Sequence, residues 1–260
     1  MTAALRGIYT IWYREALRLR RDRLRLVGHM LSPLLFLLVF GVGLGRTMGG
    51  MAPGLDFMQF LFPGIVGMTV LMTAFMSGVS VVWEREMGFL KEVLVAPIPR
   101  ASLVLGKTLG GGTVAVVQGI VVLLLAPLVG ISLSPVLLLK LLPLLLLEAL
   151  ALGGLGVLLA SRMYSMEGFQ MLMGVLVMPM VFLSGVFFPV RDLPVWLGVV
   201  VHINPVTYGV DAIRQVMLGE AAPRLLLFGQ PVSVAQDILA VTVFGAIIVA
   251  LAIWSFSHQG

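Results

Sequence analysis

The sequence contains no cysteine and few charged residues, and each shortage excludes a class of protein. Without cysteine there can be no disulfide framework, zinc–thiolate site or catalytic thiol. Charged residues make up 11% of the chain and hydrophobic residues 60%, whereas about a quarter of a soluble domain is charged. A water-soluble fold of 260 residues cannot hide so much apolar surface. The composition therefore predicts an integral membrane protein.

Long apolar runs divide the chain into candidate transmembrane helices. A bilayer core about 30 Å thick needs roughly 20 apolar residues per helix. The runs that meet this requirement are about Leu26–Leu44, Phe57–Val82, Thr108–Ile131, Leu137–Ala160, Phe169–Phe188 and Ile238–Phe256. We therefore expect an all-α integral membrane fold with six transmembrane helices.

Basic residues are unevenly distributed between the two sets of segments that join these runs. If the N-terminus is placed inside, the inner segments carry 12 Lys and Arg and the outer segments carry 5. Because Lys and Arg near helix ends favour the cytoplasmic side, this bias predicts that both termini are cytoplasmic.

The first 25 residues have the pattern of an amphipathic helix. On a helical wheel Leu5, Ile8, Trp12, Ala16 and Leu19 share one face. Four arginines lie about 150° away at 100° per residue: Arg14, Arg18, Arg21 and Arg25. The pattern is typical of a helix lying in the membrane interface, with its arginines toward anionic headgroups. A plain basic anchor is the alternative. The chain is thus divided into an interfacial helix, 1–25, and one transmembrane domain, 26–260.

The inner segment Trp83–Arg100 interleaves charges of both signs with apolar residues at helical spacing. Pro97 and Pro99 would stop a helix there. A short amphipathic helix at about 84–97, facing the cytoplasm, would suit docking to another protein. A solvated connector between two spans is the alternative.

The outer segment Pro189–Gln236 is too apolar for an ordinary loop. Its stretch Val195–Ile203 is too short to span a bilayer, and prolines interrupt the segment at positions 189, 194 and 205. Two short helices that dip into the outer leaflet would satisfy their own backbone. We expect such a re-entrant hairpin at about 189–219, in which Asp211 and Arg214 could pair. The alternative is a cap that lies on the membrane surface.

Glu148 lies near the middle of the fourth apolar run. Centring a charged carboxylate in a helix costs about 2.5–3.5 kcal/mol on insertion scales, so Glu148 should face the bundle interior or stay protonated. It could line the transport path or relay protons. Alternatively it could hydrogen-bond to a neighbouring helix, and Gln118 is the partner we expect.

No catalytic, cofactor-binding or metal-binding residue is expected in this chain. The segment Ala101–Thr108 resembles a relaxed phosphate loop, but it lacks the preceding strand and the loop glycines. Lys107 in this segment is better interpreted as an anchor flanking a span. The three histidines, His29, His202 and His258, have no metal-ligand spacing.

Several short motifs resemble the ABC-2 type membrane subunit, the permease of a bacterial ABC exporter. In the first half these are FPGIVGM at 62–68, WEREMG at 83–88, PIPR at 97–100 and LGK at 105–107. In the second half they are FLSGVFFP at 182–189, LPVW at 193–196, NPVTY at 204–208 and DAIR at 211–214. Their order and spacing cover nearly the whole chain, and the C-terminal motifs look most like the daunorubicin-type drug-resistance branch.

The resemblance implies an in-plane N-terminal helix, six spans and an extracellular re-entrant hairpin between spans 5 and 6. It also implies a coupling helix that seats in a separate ATP-binding subunit. The residues that would meet this subunit are Glu84, Arg85, Glu86, Gly88, Lys91 and Glu92. Arg14 and Arg18 would support that surface. The outer hairpin would include Pro189, Trp196, Asn204, Pro205, Tyr208, Asp211 and Arg214.

The implied partners are two ATP-binding subunits, which hold ATP and Mg²⁺, a second permease and membrane lipids, with no nucleic acid. The second permease would be an identical copy or a paralogue, in a bacterial or archaeal plasma membrane. The implied function is export of an amphiphilic, drug- or lipid-like cargo. Export of a polysaccharide or lipid-linked oligosaccharide is a second possibility within the family. From another class, an ion-coupled secondary transporter could use Glu148 as its proton site.

Overall fold

The described part of the chain forms a bundle of α-helices. The computed structural model describes residues 3–21, 31, 33–43, 56–88, 99–190, 193–227 and 229–258. The helices of the first half are α1 (Ala3–Arg21), α2 (Pro33–Val42), α3 (Phe57–Phe75), α4 (Ser77–Glu86) and α5 (Arg100–Leu123). Those of the second half are α6 (Pro135–Ala160), α7 (Met166–Phe182), α8 (Val195–Ile203), α9 (Pro205–Leu218) and α10 (Val234–Ser257).

Polar side chains fix the starts of several of these helices. Ser134 accepts a hydrogen bond from the N–H of Leu137 before α6, and Ser165 accepts one from Gly168 before α7. Ser233 and Gln236 form a reciprocal capping box at the start of α10. These bonds satisfy N–H groups that the first helical turn leaves without partners. A two-residue antiparallel strand pair, β1 (Leu226–Leu227) and β2 (Gln230–Pro231), precedes α10.

Four helical segments in the described part of the chain are long and apolar enough to cross a membrane. They are Phe57–Glu86, which joins α3 and α4, Arg100–Leu123, Pro135–Ala160 and Val234–Ser257. The helices α2 and α7 are apolar but shorter, and α7 has 17 residues. The all-α, multi-pass character expected from the sequence is therefore confirmed, while the count of six spans stays a prediction.

The largest differences between the predicted spans and the helices are at α5 and α7. The helix α5 begins at Arg100 and ends at Leu123, whereas Thr108–Ile131 was expected, because the helix starts directly after Pro99. The helix α7 ends at Phe182, short of the expected Phe188, because the chain turns at Gly185 with φ of 79°. Only part of the first predicted span, Leu26–Leu44, lies among the described residues.

Helix α3 lies at the centre of the bundle and contacts α5, α6 and α9. Nearly all of its residues are buried. Small residues allow the close approach of α6 to α3 and α4. A Cβ at Gly156 would lie 2.2 Å from the carbonyl oxygen of Phe75, and a Cβ at Gly78 would lie 2.3 Å from that of Gly156.

Helix α1 packs beside the first half of α5. The hydroxyl of Ser102 donates to the carbonyl of Ala4 at 3.0 Å, and the indole N–H of Trp12 donates to Thr113 at 2.9 Å. The buried stripe of α1 centres on Ile11, whereas Leu5, which was expected on the apolar face, is 53% exposed. The helix itself is confirmed. Its placement flat in a membrane interface stays a prediction.

The outer segment contains the two short helices expected there, α8 and α9. Most of α9 is buried against α3, α6 and α10. Apolar residues of α8 are exposed instead, including Val195, Trp196 and Ile203. The position of this pair in a bilayer, and hence its re-entrant character, stays a prediction.

Candidate coupling site and buried polar groups

Four charged residues form a cluster where α1, α4 and α5 meet. Lys107 is its centre and is 1% exposed. Its ammonium lies 2.7 Å from Oε1 of Glu84, 2.9 Å from Oε1 of Glu15 and 3.0 Å from the hydroxyl of Ser80. Arg14 also donates to Glu84. We call Arg14, Glu15, Glu84 and Lys107 the charged cluster.

Small residues on α5 make this cluster possible. A Cβ at Gly106 would lie 2.7 Å from Cβ of Ile11, and a Cβ at Gly110 would lie 2.7 Å from Cβ of Glu15. Gly106 and Gly110 lie one helical turn apart, and the helix that approaches both of them is α1. Close approach brings Glu15 to the buried ammonium of Lys107. The expectation that Lys107 is a flanking anchor is therefore wrong.

The end of α4 projects beyond the charged cluster. Glu86, Met87 and Gly88 are exposed, and Gly88 has φ of 80°, a conformation that costs residues with a Cβ about 1–2 kcal/mol. The N–H of Gly88 donates to the carbonyl of Arg85, which closes the end of the helix. We call Glu86–Gly88 the α4 tip.

Arg85 joins the α4 tip to the turn between α6 and α7. Its guanidinium donates to the carbonyl of Met163 at 2.9 Å and lies 5.0 Å from the ring centroid of Tyr164. Glu84 thus attaches the end of α4 to α1 and α5, and Arg85 attaches it to the turn between α6 and α7.

The residues expected to contact an ATP-binding subunit are in different environments. Glu86 and Gly88 are exposed. The carboxylate of Glu84 is directed into the charged cluster, and the residue is 6% exposed, so the structure contradicts an outward-facing role for it. Lys91 and Glu92 lie outside the described residues.

Two arginines of α1, Arg14 and Arg18, were expected to support this surface, and the structure describes the side chain of the first. The side chain of Arg14 is 51% exposed and reaches the charged cluster. The side chain of Arg18 lies outside the described part of α1.

Glu148 faces the interior of the bundle, as expected, but it has no bond to Gln118. Gln118 accepts a hydrogen bond from Thr73 instead. Glu148 is 2% exposed, and neither of its oxygens has a hydrogen-bond partner among the described residues. Its carboxyl packs against two glycines, and an added Cβ would lie 3.0 Å from it at Gly209 and 3.5 Å at Gly67.

At the start of α9, Asn204 caps the helix and ties it to α7. Its carbonyl oxygen accepts from the N–H of Val206, and its amide donates to the carbonyl of Met180 at 2.7 Å. Pro205 occupies the first turn, where its missing N–H costs nothing. The hydroxyl of Tyr208 donates to the carbonyl of His202 at 2.8 Å. These motif residues therefore hold the turn between α8 and α9.

Two other motif residues of the outer segment contribute little to this packing. Trp196 is 69% exposed. Pro189 is half-buried where the chain leaves α7.

Asp211 and Arg214 do not pair with each other as expected. Arg214 donates to the carbonyl of Gly185 at 2.7 Å, and its guanidinium lies 4.3 Å from the ring centroid of Phe60. Asp211 accepts from the N–H of Leu225 at 3.2 Å and from the amide of Gln215 at 2.8 Å. Burial raises the pKa of Asp211, against the opposing effects of the Leu225 N–H, Arg214 and Gln215. Arg214 thus attaches α9 to the turn after α7, and Asp211 attaches it to the segment that precedes α10.

Asp237 is a buried carboxylate that the sequence analysis did not single out. It is fully buried, and its Oδ2 accepts from the amide of Gln215 at 3.0 Å. The outer segment was ended at Gln236 and the sixth apolar run was begun at Ile238, so Asp237 was assigned to neither. One sequence pattern could have indicated it: Asp237 is a single carboxylate one helical turn after Ser233, a capping residue, at the start of an apolar helix.

The segment that resembled a phosphate loop lies inside α5, where its backbone N–H groups are used by the helix. No group of three or more His, Cys, Asp or Glu among the described residues could hold a metal ion. The geometry is that of an α-helical, multi-pass membrane protein.

Comparison with known families identifies the class more closely. The model of the ABC-2 type transporter family matches residues 6–218. The chain therefore belongs to the ABC-2 type transporter family and is a permease subunit, not itself an ATPase.

Individual relatives agree with this assignment. The chain is 32% identical over 173 residues to the probable multidrug ABC transporter permease YbhR of Escherichia coli K12, covering 65% of this chain and 46% of YbhR. It therefore spans about half the length of that relative. It is 28% identical over 219 residues to nodulation protein J of Rhizobium leguminosarum bv. trifolii, covering 84% and 80% of the two chains. Against the inner membrane transport permease YadH of E. coli K12, identity is 26% over 261 residues, covering 98% and 95%.

Proposed function

We propose that this permease moves an amphiphilic or hydrophobic, drug- or lipid-like cargo outward, driven by ATP hydrolysis in a separate subunit. Two permeases and two ATP-binding subunits form the working unit, and the ATP-binding subunits hold ATP and Mg²⁺. The observation that carries the proposal is the exposed α4 tip, Glu86–Gly88, at the end of a helix that buried charges fix in place.

The α4 tip and the segment that follows it in sequence dock in the ATP-binding subunit on the cytoplasmic side. Glu86 offers a carboxylate to that partner, and Gly88 ends the α4 tip with φ of 80°. Glu84 acts as a positioning residue, since its carboxylate is bound by Lys107 at 2.7 Å. The tip therefore meets the partner as part of a rigid unit.

Attachment of the α4 tip on two sides supports transmission of a push. Glu84 links α4 to α1 and α5, and Arg85 links it to the turn after α6. Closure of the ATP-binding dimer would displace these helices together and switch the permease between two states. The driving force is the difference in affinity of ATP for the two states.

The exposed face of α7 supports an apolar cargo. Four apolar residues recur at helical spacing along it: Met171, Val175, Met178 and Phe182, which are 73%, 66%, 46% and 46% exposed. Flexible thioether side chains adapt to ligands of different shapes. A probable multidrug permease, YbhR, is among the relatives. We propose that this face contacts the cargo and the second permease.

The docking proposal is tested by co-purifying the permease with the neighbouring ATP-binding subunit and measuring cargo-stimulated ATP hydrolysis. Glu86→Ala and Gly88→Pro are expected to abolish stimulation while basal hydrolysis by the ATP-binding subunit persists. The matched control is Glu167→Ala, an exposed carboxylate in the first turn of α7. If cargo stimulated ATP hydrolysis as strongly with Glu86→Ala and Gly88→Pro as with Glu167→Ala, the α4 tip would not be the docking site.

Orientation and assembly can be tested with single cysteines, because the native chain has none. A cysteine at Met87 should react with an impermeant maleimide only after the cytoplasmic face is opened. If the impermeant maleimide labelled Met87→Cys in sealed cells, the α4 tip would lie on the outer face, which contradicts the proposed orientation.

A cysteine at Gly174, on the exposed face of α7, should form a cross-link between two permeases. A cysteine at Leu239, which is 63% exposed on α10, is the control and should not.

A further inference from the structure

A small cavity lies between α6, α9 and α10, away from the α4 tip. It has a volume of ≈ 10 Å³, which is room for about one water molecule. Two carboxylates line it, Glu148 from α6 and Asp237 from α10, together with the small residues Gly209 and Ala212 of α9. A space of this size excludes the cargo, so its occupant must be a much smaller ligand.

Glu148 supplies the main observation about that ligand. Both of its oxygens are buried without a hydrogen-bond partner among the described residues. An ionised carboxylate in this state would lack both a counter-charge and donors, which is strongly unfavourable in an apolar bundle. A proton removes the charge, and a water molecule in the cavity would provide the missing hydrogen bond.

Asp237 has one satisfied oxygen and one free oxygen. Its Oδ2 accepts from the amide nitrogen of Gln215, and its Oδ1 has no partner among the described residues. The same nitrogen also faces Asp211 Oδ2 at 2.8 Å and the carbonyl of Val232 at 3.2 Å. Three acceptors thus compete for two amide hydrogens. Asp237 therefore needs a further donor, although its place in the first turn of α10 favours a negative charge.

The surrounding helices bring little positive charge to Glu148. On α9, Arg214 is bound to the carbonyl of Gly185 and lies over Phe60, while Asp211 is a further carboxylate. Helix α3 carries no titratable residue between Phe57 and Phe75. On α5, Lys107 is bound in the charged cluster, and Arg100 lies at the start of that helix. On α4, the charged residues are Glu84, Arg85 and Glu86, in the last turn of that helix.

We propose that Glu148 and Asp237 form a proton-binding site in which a protonated Glu148 is joined to an ionised Asp237 by one water molecule. The carboxyl O–H of Glu148 donates to the water, and the water donates to Oδ1 of Asp237. The site joins the middle of α6 to the start of α10 beneath α9. It holds a proton rather than a metal ion, because the described residues provide no group of three ligands.

The test is infrared spectroscopy of the purified full-length permease in lipid nanodiscs at neutral pH, in the region of protonated carboxyl groups. The wild-type spectrum minus that of Glu148→Gln should contain one carboxyl C=O band. Asp237→Asn should shift the frequency of that band, because the bridging water loses its charged acceptor. Glu220→Gln, which removes an exposed carboxyl beyond α9, should change neither feature.

The outcomes decide the proposal separately from the docking of the ATP-binding subunit. Gln matches a neutral Glu in size and polarity, so Glu148→Gln should elute and unfold like the wild type. If it does not, the frequency shift in Asp237→Asn still tests the link. A spectrum without a band that belongs to Glu148 would overturn the proposal, as would a band that Asp237→Asn leaves unchanged. Either result would overturn the proton-binding site even if export were coupled normally to ATP hydrolysis.

Discussion

Lys107→Met tests the charged cluster most directly, because it removes the buried ammonium and keeps an unbranched side chain of similar length. The ammonium contacts Glu84 at 2.7 Å and Glu15 at 2.9 Å. Without it, two largely buried carboxylates face each other near Arg14, whose side chain is 51% exposed. Oε2 of Glu84 already has no hydrogen-bond partner among the described residues. The substitution should therefore destabilise the contact of α1 with α4 and α5.

The magnitude follows from the burial of the pair. Removing one partner of a buried ion pair costs about 3–5 kcal/mol, because an uncompensated charge is left behind. The lower end applies here, since Arg14 still reaches Glu84 and the side chain of Glu15 is 13% exposed. For a chain of this size 1 kcal/mol corresponds to about 2–4 °C, so a loss of about 3 kcal/mol lowers the midpoint by roughly 6–12 °C.

The assay is thermal unfolding of the purified permease in detergent, followed by tryptophan fluorescence. Lys140→Met is the matched control, because Lys140 is exposed on α6, and it should change stability by less than about 0.5 kcal/mol. In the double variant Lys107→Met/Glu84→Gln, part of the loss should be recovered because one buried charge has been removed. Equal midpoints for Lys107→Met and Lys140→Met would refute the reasoning.

Three further substitutions test the packing of the bundle. Gly156→Ala should destabilise by about 1–3 kcal/mol in thermal unfolding, because its Cβ would lie 2.2 Å from a backbone oxygen; Gly174→Ala, with open space around it, should not. Arg214→Lys should lower the midpoint measurably, because a lysine cannot both reach Gly185 and stack on Phe60; an unchanged midpoint would contradict this. Ser233→Ala should cost about 1 kcal/mol through loss of the capping box, with Ser257→Ala as the control.

Much of the fold could be predicted because lipid imposes a simple rule on each span. Apolar length and prolines located the long helices, and Val195–Ile203 was correctly expected to be a separate short helix. The first half of α5 was not recognised as part of the helix, because its polar residues are covered by α1. That packing depends on a partner about 100 positions away in the chain, as in the bond from Trp12 to Thr113.

The buried polar groups were harder to predict, because their partners are set by packing. The inward position of Glu148 followed from the cost of placing a carboxylate in lipid. Its expected partner was wrong because Thr73 on α3 takes the carbonyl of Gln118. Lys107 was misjudged for the same kind of reason, since its acceptors come from two other helices. Sequence can thus indicate that a polar residue needs a partner, but not which residue supplies it.

The motif WEREMG at 83–88 shows how one helical turn can serve two purposes, because its two glutamates are two positions apart. Residues so spaced differ by about 200° on a helix, so they point to opposite sides. Glu84 points into the charged cluster with 6% exposure, and Glu86 points outward. The isosteric variants should therefore have separable effects. Glu84→Gln should lower the unfolding midpoint and leave binding of the ATP-binding subunit measurable, whereas Glu86→Gln should keep the midpoint and weaken that binding. If both variants lost stability equally, the two glutamates would not have the different roles assigned to them.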